Sequence, residues 1–136
     1  GDAGTVMQTL CAVDDMDRGA VAMVVDLPRD GRRLIAAGVG NIAGAVVTRD
    51  ATRRLVSREG SVGRRCKVQP ETYDLPGDAI LVLHSDGLKT FRFEEHHRDL
   101  LYRSSLAVAA MILRERLRGP DDASVIVLGR RGEDDE

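Results

Sequence analysis

Aromatic residues are scarce in this chain: they make up 3% of its 136 positions, as two Tyr and two Phe, and Trp is absent. Proteins that bind single-stranded nucleic acid stack its bases on aromatic side chains, so this scarcity argues against that class of protein. A formal net charge of −2 likewise lacks the basic excess that binding to a phosphate backbone requires. The sequence therefore predicts no nucleic-acid partner and a core of aliphatic side chains.

A long apolar run and a signal peptide are also missing. No stretch of about 18 apolar residues is present, which predicts no membrane span and no membrane partner. Without a secretory signal, we expect a soluble cytoplasmic protein. Cysteine is rare as well. Cys11 and Cys66 lie far apart in the sequence, a spacing that fits no metal site, and we expect both to be reduced thiols in the core.

Two stretches have the apolar spacing of helices, residues 5–16 and residues 104–117. In the first, Val6, Leu10 and Val13 share one face, which we expect to be buried. The second has two serines at its start, either of which can cap it, and several arginines near its end, where the helix dipole favours cations.

Between and after these helices the sequence alternates β-branched runs with Gly and Pro turns, which is typical of antiparallel strands. The predicted strands are residues 19–27, 32–39, 42–48, 52–57, 66–75, 79–84 and 123–128. This order of elements predicts an α+β fold, a layered α-β-β-α sandwich with two mostly antiparallel sheets flanked by helices. Residues 1–131 are expected to form a single domain, followed by an acidic tail at residues 132–136.

The strand at residues 79–84 is the most informative part of the sequence. Its five consecutive apolar residues predict burial on both faces, and it runs directly into Ser85-Asp86-Gly87. A second acidic pair, Asp121-Asp122, immediately precedes the strand at residues 123–128. Carboxylates at two strand ends, with no cation beside them, are the ligands that a hard divalent metal ion prefers. An Asp-Gly pair is also a common turn, so the residues alone leave both interpretations open.

Two other motifs point to functions that we reject. Residues 38–44 contain the glycines of a dinucleotide-binding loop, but a strand pattern follows them where that loop requires a helix. We interpret them as a tight hairpin. His84, Ser85 and Asp86 are the residue types of a hydrolase triad, but consecutive side chains on a strand point to opposite faces and cannot relay a proton.

Two charged motifs have weaker interpretations. The pair His96-His97 lies within a charged stretch, and we expect it on a solvated face rather than at a metal ion. Several arginines either recognise an anionic or phosphorylated partner or are ordinary surface charge, and the sequence favours neither. These are Arg53, Arg54, Arg58, Arg64 and Arg65.

Taken together, residues 37–41, 84–88 and 121–127 resemble the PPM family of metal-dependent protein serine/threonine phosphatases. The resemblance is closest to the bacterial branch that includes the sporulation stage II phosphatase and the stressosome feedback phosphatase. Residues 17–22 also resemble the segment that enters an early strand in that branch. The similarity runs over nearly the whole chain in the family's order, and three such motifs in order are fairly specific.

The resemblance implies a β-sandwich flanked by helices and a centre of two Mn²⁺ or Mg²⁺ ions held by acidic residues. By resemblance, Asp86 and Asp121 are the catalytic metal ligands, and Asp122 occupies the adjoining position and contributes. The implied activity is hydrolysis of phosphoserine or phosphothreonine. The implied partner is a phosphorylated bacterial regulator of sigma factors or of the stress response, an anti-sigma antagonist or a stressosome protein. Nothing in the sequence indicates an oligomeric state.

The chain departs from the family at its beginning. The family has an N-terminal strand with an aspartate and then an Asp-Gly-x-Gly loop, and neither can be placed here, since Asp14-Asp15 lacks the glycines. The chain also begins with Gly rather than Met. We therefore expect either a fragment of an active phosphatase or a degenerate relative that serves as a non-catalytic regulatory or interaction module.

Overall fold

The computed structural model describes residues 2–12, 19–63, 66–89, 95–101, 104–117, 119 and 122–129. The chain divides into two compact units, the first formed by Gly1–Ala43 with Leu55–Pro76 and the second by Gly44–Arg54 with Gly77–Glu136. Three helices are described: α1 (Ala3–Cys11), α2 (Glu95–Leu101) and α3 (Ser105–Arg116). The strands are β1 (Ala22–Asp26), β2 (Arg33–Val39), β3 (Ile42–Val47), β4 (Thr52–Arg54), β5 (Ser57–Arg58), β6 (Glu71–Asp74), β7 (Ile80–Ser85) and β8 (Val125–Leu128). None of the helices in these residues is long and apolar enough to cross a membrane.

The sheet of the first unit is built around β2. On one side β2 pairs antiparallel with β1 along its length, from Ala22↔Val39 to Asp26↔Ile35, which confirms the predicted hairpin. On the other side it pairs antiparallel with β6 near its start and parallel with β5 at its end, where Gly38 lies opposite Ser57. Both edges of β2 are therefore occupied.

The second sheet has the strand order β4-β3-β7-β8. β3 and β4 form an antiparallel hairpin, with Val47 opposite Thr52, closed by the bond from the Thr48 amide to the Ala51 carbonyl oxygen (2.8 Å). β7 and β8 are also antiparallel. The predicted α+β class with two mostly antiparallel sheets is confirmed.

The hairpin predicted at residues 38–44 is wrong, although no helix follows these residues and the rejection of a dinucleotide loop stands. β2 and β3 belong to different sheets. The physical reason is that β2 has no free edge left for β3. Gly40, with φ of 91°, turns the chain away, and its amide donates to the Arg58 carbonyl oxygen (2.7 Å).

Helix α1 begins earlier than predicted, because Asp2 caps it by accepting a hydrogen bond from the Gly4 amide (3.0 Å). Its buried face was also predicted wrongly. Ala3 and Met7 are buried, whereas Val6 and Leu10 are exposed. Met7 packs in a core cluster with Ala37, Val39 and Val62. Val13, the third residue of the predicted face, lies outside the described residues.

The expectation of reduced cysteines is also wrong, since Cys11 and Cys66 form a disulfide. Cys11 ends α1, and Cys66 follows the glycine-containing loop after β5; the fold brings their Cα atoms to 5.9 Å. The strand predicted for residues 66–75 is shorter than expected and begins only at Glu71. Pro70, directly before it, has no amide hydrogen to donate to a sheet.

Helix α3 covers the second sheet. Ser104 caps it, accepting from the Ala107 amide (3.3 Å), as predicted. Val108 and Ile112 pack on Val82 of β7 in one buried cluster, joined by the half-buried Val125 and Val127 of β8. His97 on α2, expected on a solvated face, is instead 5% exposed, with its Nε2 atom 3.0 Å from Glu115 Oε2 of α3. The charge pattern around His97 did not show that α2 packs against α3.

The buried face of α3 can be tested with two alanine substitutions in the same helix. We expect Ile112→Ala to lower the free energy of unfolding by about 2–5 kcal/mol, because Ile112 is 1% exposed and its loss leaves a cavity. Leu106→Ala should change that free energy by less than about 0.5 kcal/mol, because Leu106 is 80% exposed. Urea unfolding followed by circular dichroism measures both. Equal effects would show that α3 packs on the sheet through a different face.

Candidate functional site

The acidic turn at the end of β7 is fixed by buried residues on both sides. β7 is buried along most of its length, as its apolar run predicted, and Asp86 and Gly87 form the turn that follows. Leu88, directly after the turn, is buried and forms an isolated bridge with Leu117, just after α3. The Lys89 amide then donates to the Arg116 carbonyl oxygen (2.8 Å). The turn therefore has a rigid base while Asp86 itself stays exposed.

The start of β8 lies beside the end of β7. The antiparallel register runs from Leu81↔Leu128 to His84↔Val125. One step further, the Ser85 amide donates to the Ser124 carbonyl oxygen (3.0 Å), and the Ser124 amide donates to the Ser85 hydroxyl oxygen (2.9 Å). The two strands therefore share one sheet, and the end of β7 that leads into Asp86 lies beside the start of β8, which follows Asp122.

Gly87 sets how closely the two acidic segments approach. A Cβ atom at this position would overlap the carbonyl oxygen of Asp122 and would lie 3.0 Å from the Cβ of Ala123. Only glycine therefore allows the backbone after Asp86 to rest against the backbone of Asp122. Asp122, like Asp86, is exposed. Asp121, the other predicted ligand, lies outside the described residues.

His84 and Ser85 both contact the main chain at the end of β7. His84 is 8% exposed, and its Nδ1 atom lies 2.8 Å from the carbonyl oxygen of Ser85, which can only accept a hydrogen bond. The hydroxyl oxygen of Ser85 is the acceptor for the Ser124 amide. These contacts fix both side chains against the backbone of β7 and β8.

The part played by Ser85 and Ser124 was not predicted from the sequence, where Ser85 belongs to the Ser-Asp-Gly motif and Ser124 begins no motif. The signal available was that each serine lies within two residues of an acidic residue at the end of a strand. What the sequence could not show is that the two serines face each other across the sheet.

The chemistry of the donors at this strand end fits a hard divalent cation. Mg²⁺ is bound through one or two carboxylates and keeps several waters, and Mn²⁺ also prefers carboxylate oxygens. Asp86 and Asp122 supply two exposed carboxylates at one end of the sheet. Within the described part of the chain, no group of three His, Cys, Asp or Glu side chains is placed to hold a metal ion.

The described arginines among those singled out in the sequence belong to two sheets. Arg53 and Arg54 lie on β4 and Arg58 lies on β5, and all three are exposed. Arg64 and Arg65 lie outside the described residues.

The close approach of the two acidic segments predicts a selective effect of adding one methyl group. We expect Gly87→Ala to lower the free energy of unfolding by about 1–3 kcal/mol, because the new Cβ must push the Asp122 backbone away. Gly77→Ala is the matched control, because a Cβ there meets nothing within 4 Å and no positive φ is required. Its effect should stay within about 0.5 kcal/mol. Chemical unfolding measures both, and a tolerated Gly87→Ala would contradict the tight contact.

Comparison with known proteins gives likeness of fold. No protein-family model matches the sequence, and no curated protein matches it. Among solved structures, one described as "The bacterial stressosome: a modular system that has been adapted to control secondary messenger signaling" is similar with a TM-score of 0.75 and 22% sequence identity. The alignment covers 91% of this chain and 66% of that one.

A second similar structure is RsbX in complex with magnesium, with a TM-score of 0.69 and 18% identity. The alignment covers 90% of this chain and 61% of RsbX. The chain therefore spans less than two thirds of the length of either structure. At such low identity these matches establish a shared fold, which agrees with the α+β architecture described above.

Proposed function

We propose that this chain is part of a metal-dependent phosphoprotein phosphatase that hydrolyses phosphoserine or phosphothreonine on a bacterial signalling protein in the cytoplasm. The observation that carries the proposal is the pairing of β7 with β8. This pairing puts Asp86 and Asp122, from motifs that resemble two metal-binding motifs of the PPM family, at one end of one sheet. The likeness of fold to RsbX in complex with magnesium and to a stressosome structure supports it and favours a role in stress signalling.

In this proposal Asp86, Asp121 and Asp122 hold Mn²⁺ or Mg²⁺, with two ions in the complete enzyme. A bound ion would stabilise negative charge on the phosphoryl oxygens and lower the pKa of water. The chain itself contributes positioning. The two hydrogen bonds between Ser85 and Ser124 fix the strand ends, and the contact of Gly87 with Asp122 fixes the spacing of the two acidic segments.

The exposure of the acidic turn fits a protein substrate better than a small molecule. Asp86 and Asp122 are both exposed, rather than at the bottom of a closed cavity. A phosphorylated side chain on the surface of a folded protein can reach only an exposed site. The natural partner would then be a phosphorylated regulator, an anti-sigma antagonist or a stressosome-type protein.

The proposal is tested by replacing one carboxylate without changing its shape. In the full-length gene product, Asp86→Asn should lower the Mn²⁺-dependent hydrolysis of p-nitrophenyl phosphate by roughly 100-fold or more, since loss of a mere outer-shell partner already costs 10- to 100-fold. Asp50→Asn is the matched control, because Asp50 is exposed in the β3–β4 turn at the other edge of the sheet. Its activity should equal that of the unaltered protein. Equal activity of the Asp86 variant would refute the assignment.

A second candidate function is a non-catalytic regulatory or interaction module that keeps the fold. The observation that favours it is that no group of three His, Cys, Asp or Glu side chains in the described residues is placed to hold a metal ion. Titration of the 136-residue chain with Mn²⁺ by calorimetry separates the two candidates. Tight binding of two ions per chain would contradict the module. Weak binding to this chain and to the full-length gene product would support it.

A further inference from the structure

The first unit contains an open cleft with a disulfide in its wall. The cleft has a volume of about 1080 Å³ and lies between the end of α1, β5 with its neighbouring residues, and residues 66–68. Ligand pockets in proteins commonly measure about 300–1,000 Å³, so a small peptide-like molecule fits here. Cys11 and Cys66 both line the cleft and are both half-buried.

The position of this disulfide matters for its chemistry. A thiolate breaks a disulfide by attacking one sulfur atom, so the reaction requires access to that sulfur. A disulfide sealed in a core is protected from such attack while the protein stays folded. The bond between Cys11 and Cys66 instead borders a space that is open to solvent.

The charged side chains that line the cleft favour an anionic ligand. Arg58 and Lys67 line it with two cations, and Glu59 is the one acidic residue among the described lining residues. The lining therefore has a net formal charge of +1. Clefts lined by one sign of charge concentrate ligands of the opposite sign and raise their rate of encounter. Gln8 adds an amide that can hydrogen-bond to a peptide-like group.

We propose that this cleft is a thiol–disulfide exchange site for an anionic low-molecular-weight thiol of the glutathione type. The incoming thiolate forms a bond to one cysteine sulfur, the bond between Cys11 and Cys66 breaks, and the other cysteine leaves as a thiolate. A second molecule of the thiol then attacks the mixed disulfide, which releases the oxidised small molecule and leaves both cysteines reduced. Two small thiols supply the two electrons, so the reaction balances. The site is independent of the proposed phosphatase activity.

Reduction would release a specific part of the fold. The disulfide ties the last residue of α1 to the segment after the loop at residues 60–63. Ala3 and Met7 still anchor the start and middle of the helix when the bond is open. We therefore expect reduction to free the end of α1 without unfolding the unit.

The test compares two thiols that differ in charge. The folded, oxidised chain is exposed to glutathione or to cysteamine at about 10 mM salt, where charges act over about 30 Å. The ammonium group of cysteamine offsets its thiolate charge, whereas glutathione remains anionic. Alkylation followed by mass spectrometry gives the rate at which Cys11 and Cys66 become free thiols or form a mixed disulfide with the added thiol. The double variant Arg58→Gln, Lys67→Gln should lower the rate of reaction with glutathione by roughly tenfold relative to the rate with cysteamine.

The matched control replaces two arginines of the same unit that do not line the cleft. Arg29 and Arg32 are both exposed, and their change to Gln alters the net charge by the same amount. That control should leave the ratio of the glutathione and cysteamine rates unchanged.

Three results would overturn the proposal. The first is a chain, prepared without reductant, in which both thiols are free. The second is a disulfide that reacts with neither thiol until the chain unfolds, as expected of a purely structural bond. The third is an equal change of both rates in the Arg58 and Lys67 variant.

Discussion

The candidate site depends on the antiparallel pairing of β7 with β8. Asp86 and Asp122 are far apart in the sequence, and only this pairing brings their segments together. The pairing is stabilised by the hydrophobic core, in which Val82 of β7 packs with Val108 and Ile112 of α3. At the strand ends two hydrogen bonds between Ser85 and Ser124 hold the two strands together. A hydrophobic core thus positions groups that stay in water.

The sequence predicted where the strands lie better than which strands pair with each other. The uninterrupted apolar run of β7 correctly indicated burial on both faces, because its side chains must be apolar whichever strand lies beside it. The pairing partner of a strand is harder to predict, because it depends on which edges of the other strands are already paired. β2 has β1 on one side and β5 and β6 on the other, so β3 joins the second sheet. No pattern within residues 38–44 carries that information.

The side chains whose environment differs from the prediction share one cause. Cys11 and Cys66 are predicted to be free thiols and form a disulfide, and His97 is predicted on a solvated face and is buried. In each case the decisive contact comes from another element: the loop after β5 for the disulfide, and Glu115 of α3 for His97. Composition and periodicity describe what one segment prefers. They do not describe which segment will pack against it, and the pairing of Ser85 with Ser124 escaped prediction for the same reason.

The exposure of the two acidic segments follows from their charge. Two carboxylates at one place repel each other, and in a dry interior that repulsion and the loss of hydration would destabilise the fold by several kcal/mol. In water the same repulsion falls to about 1 kcal/mol or less. The fold therefore brings the backbones of Gly87 and Asp122 into contact while Asp86 and Asp122 both stay exposed. Exposure therefore lets two acidic residues lie at one strand end at little cost to the free energy of folding.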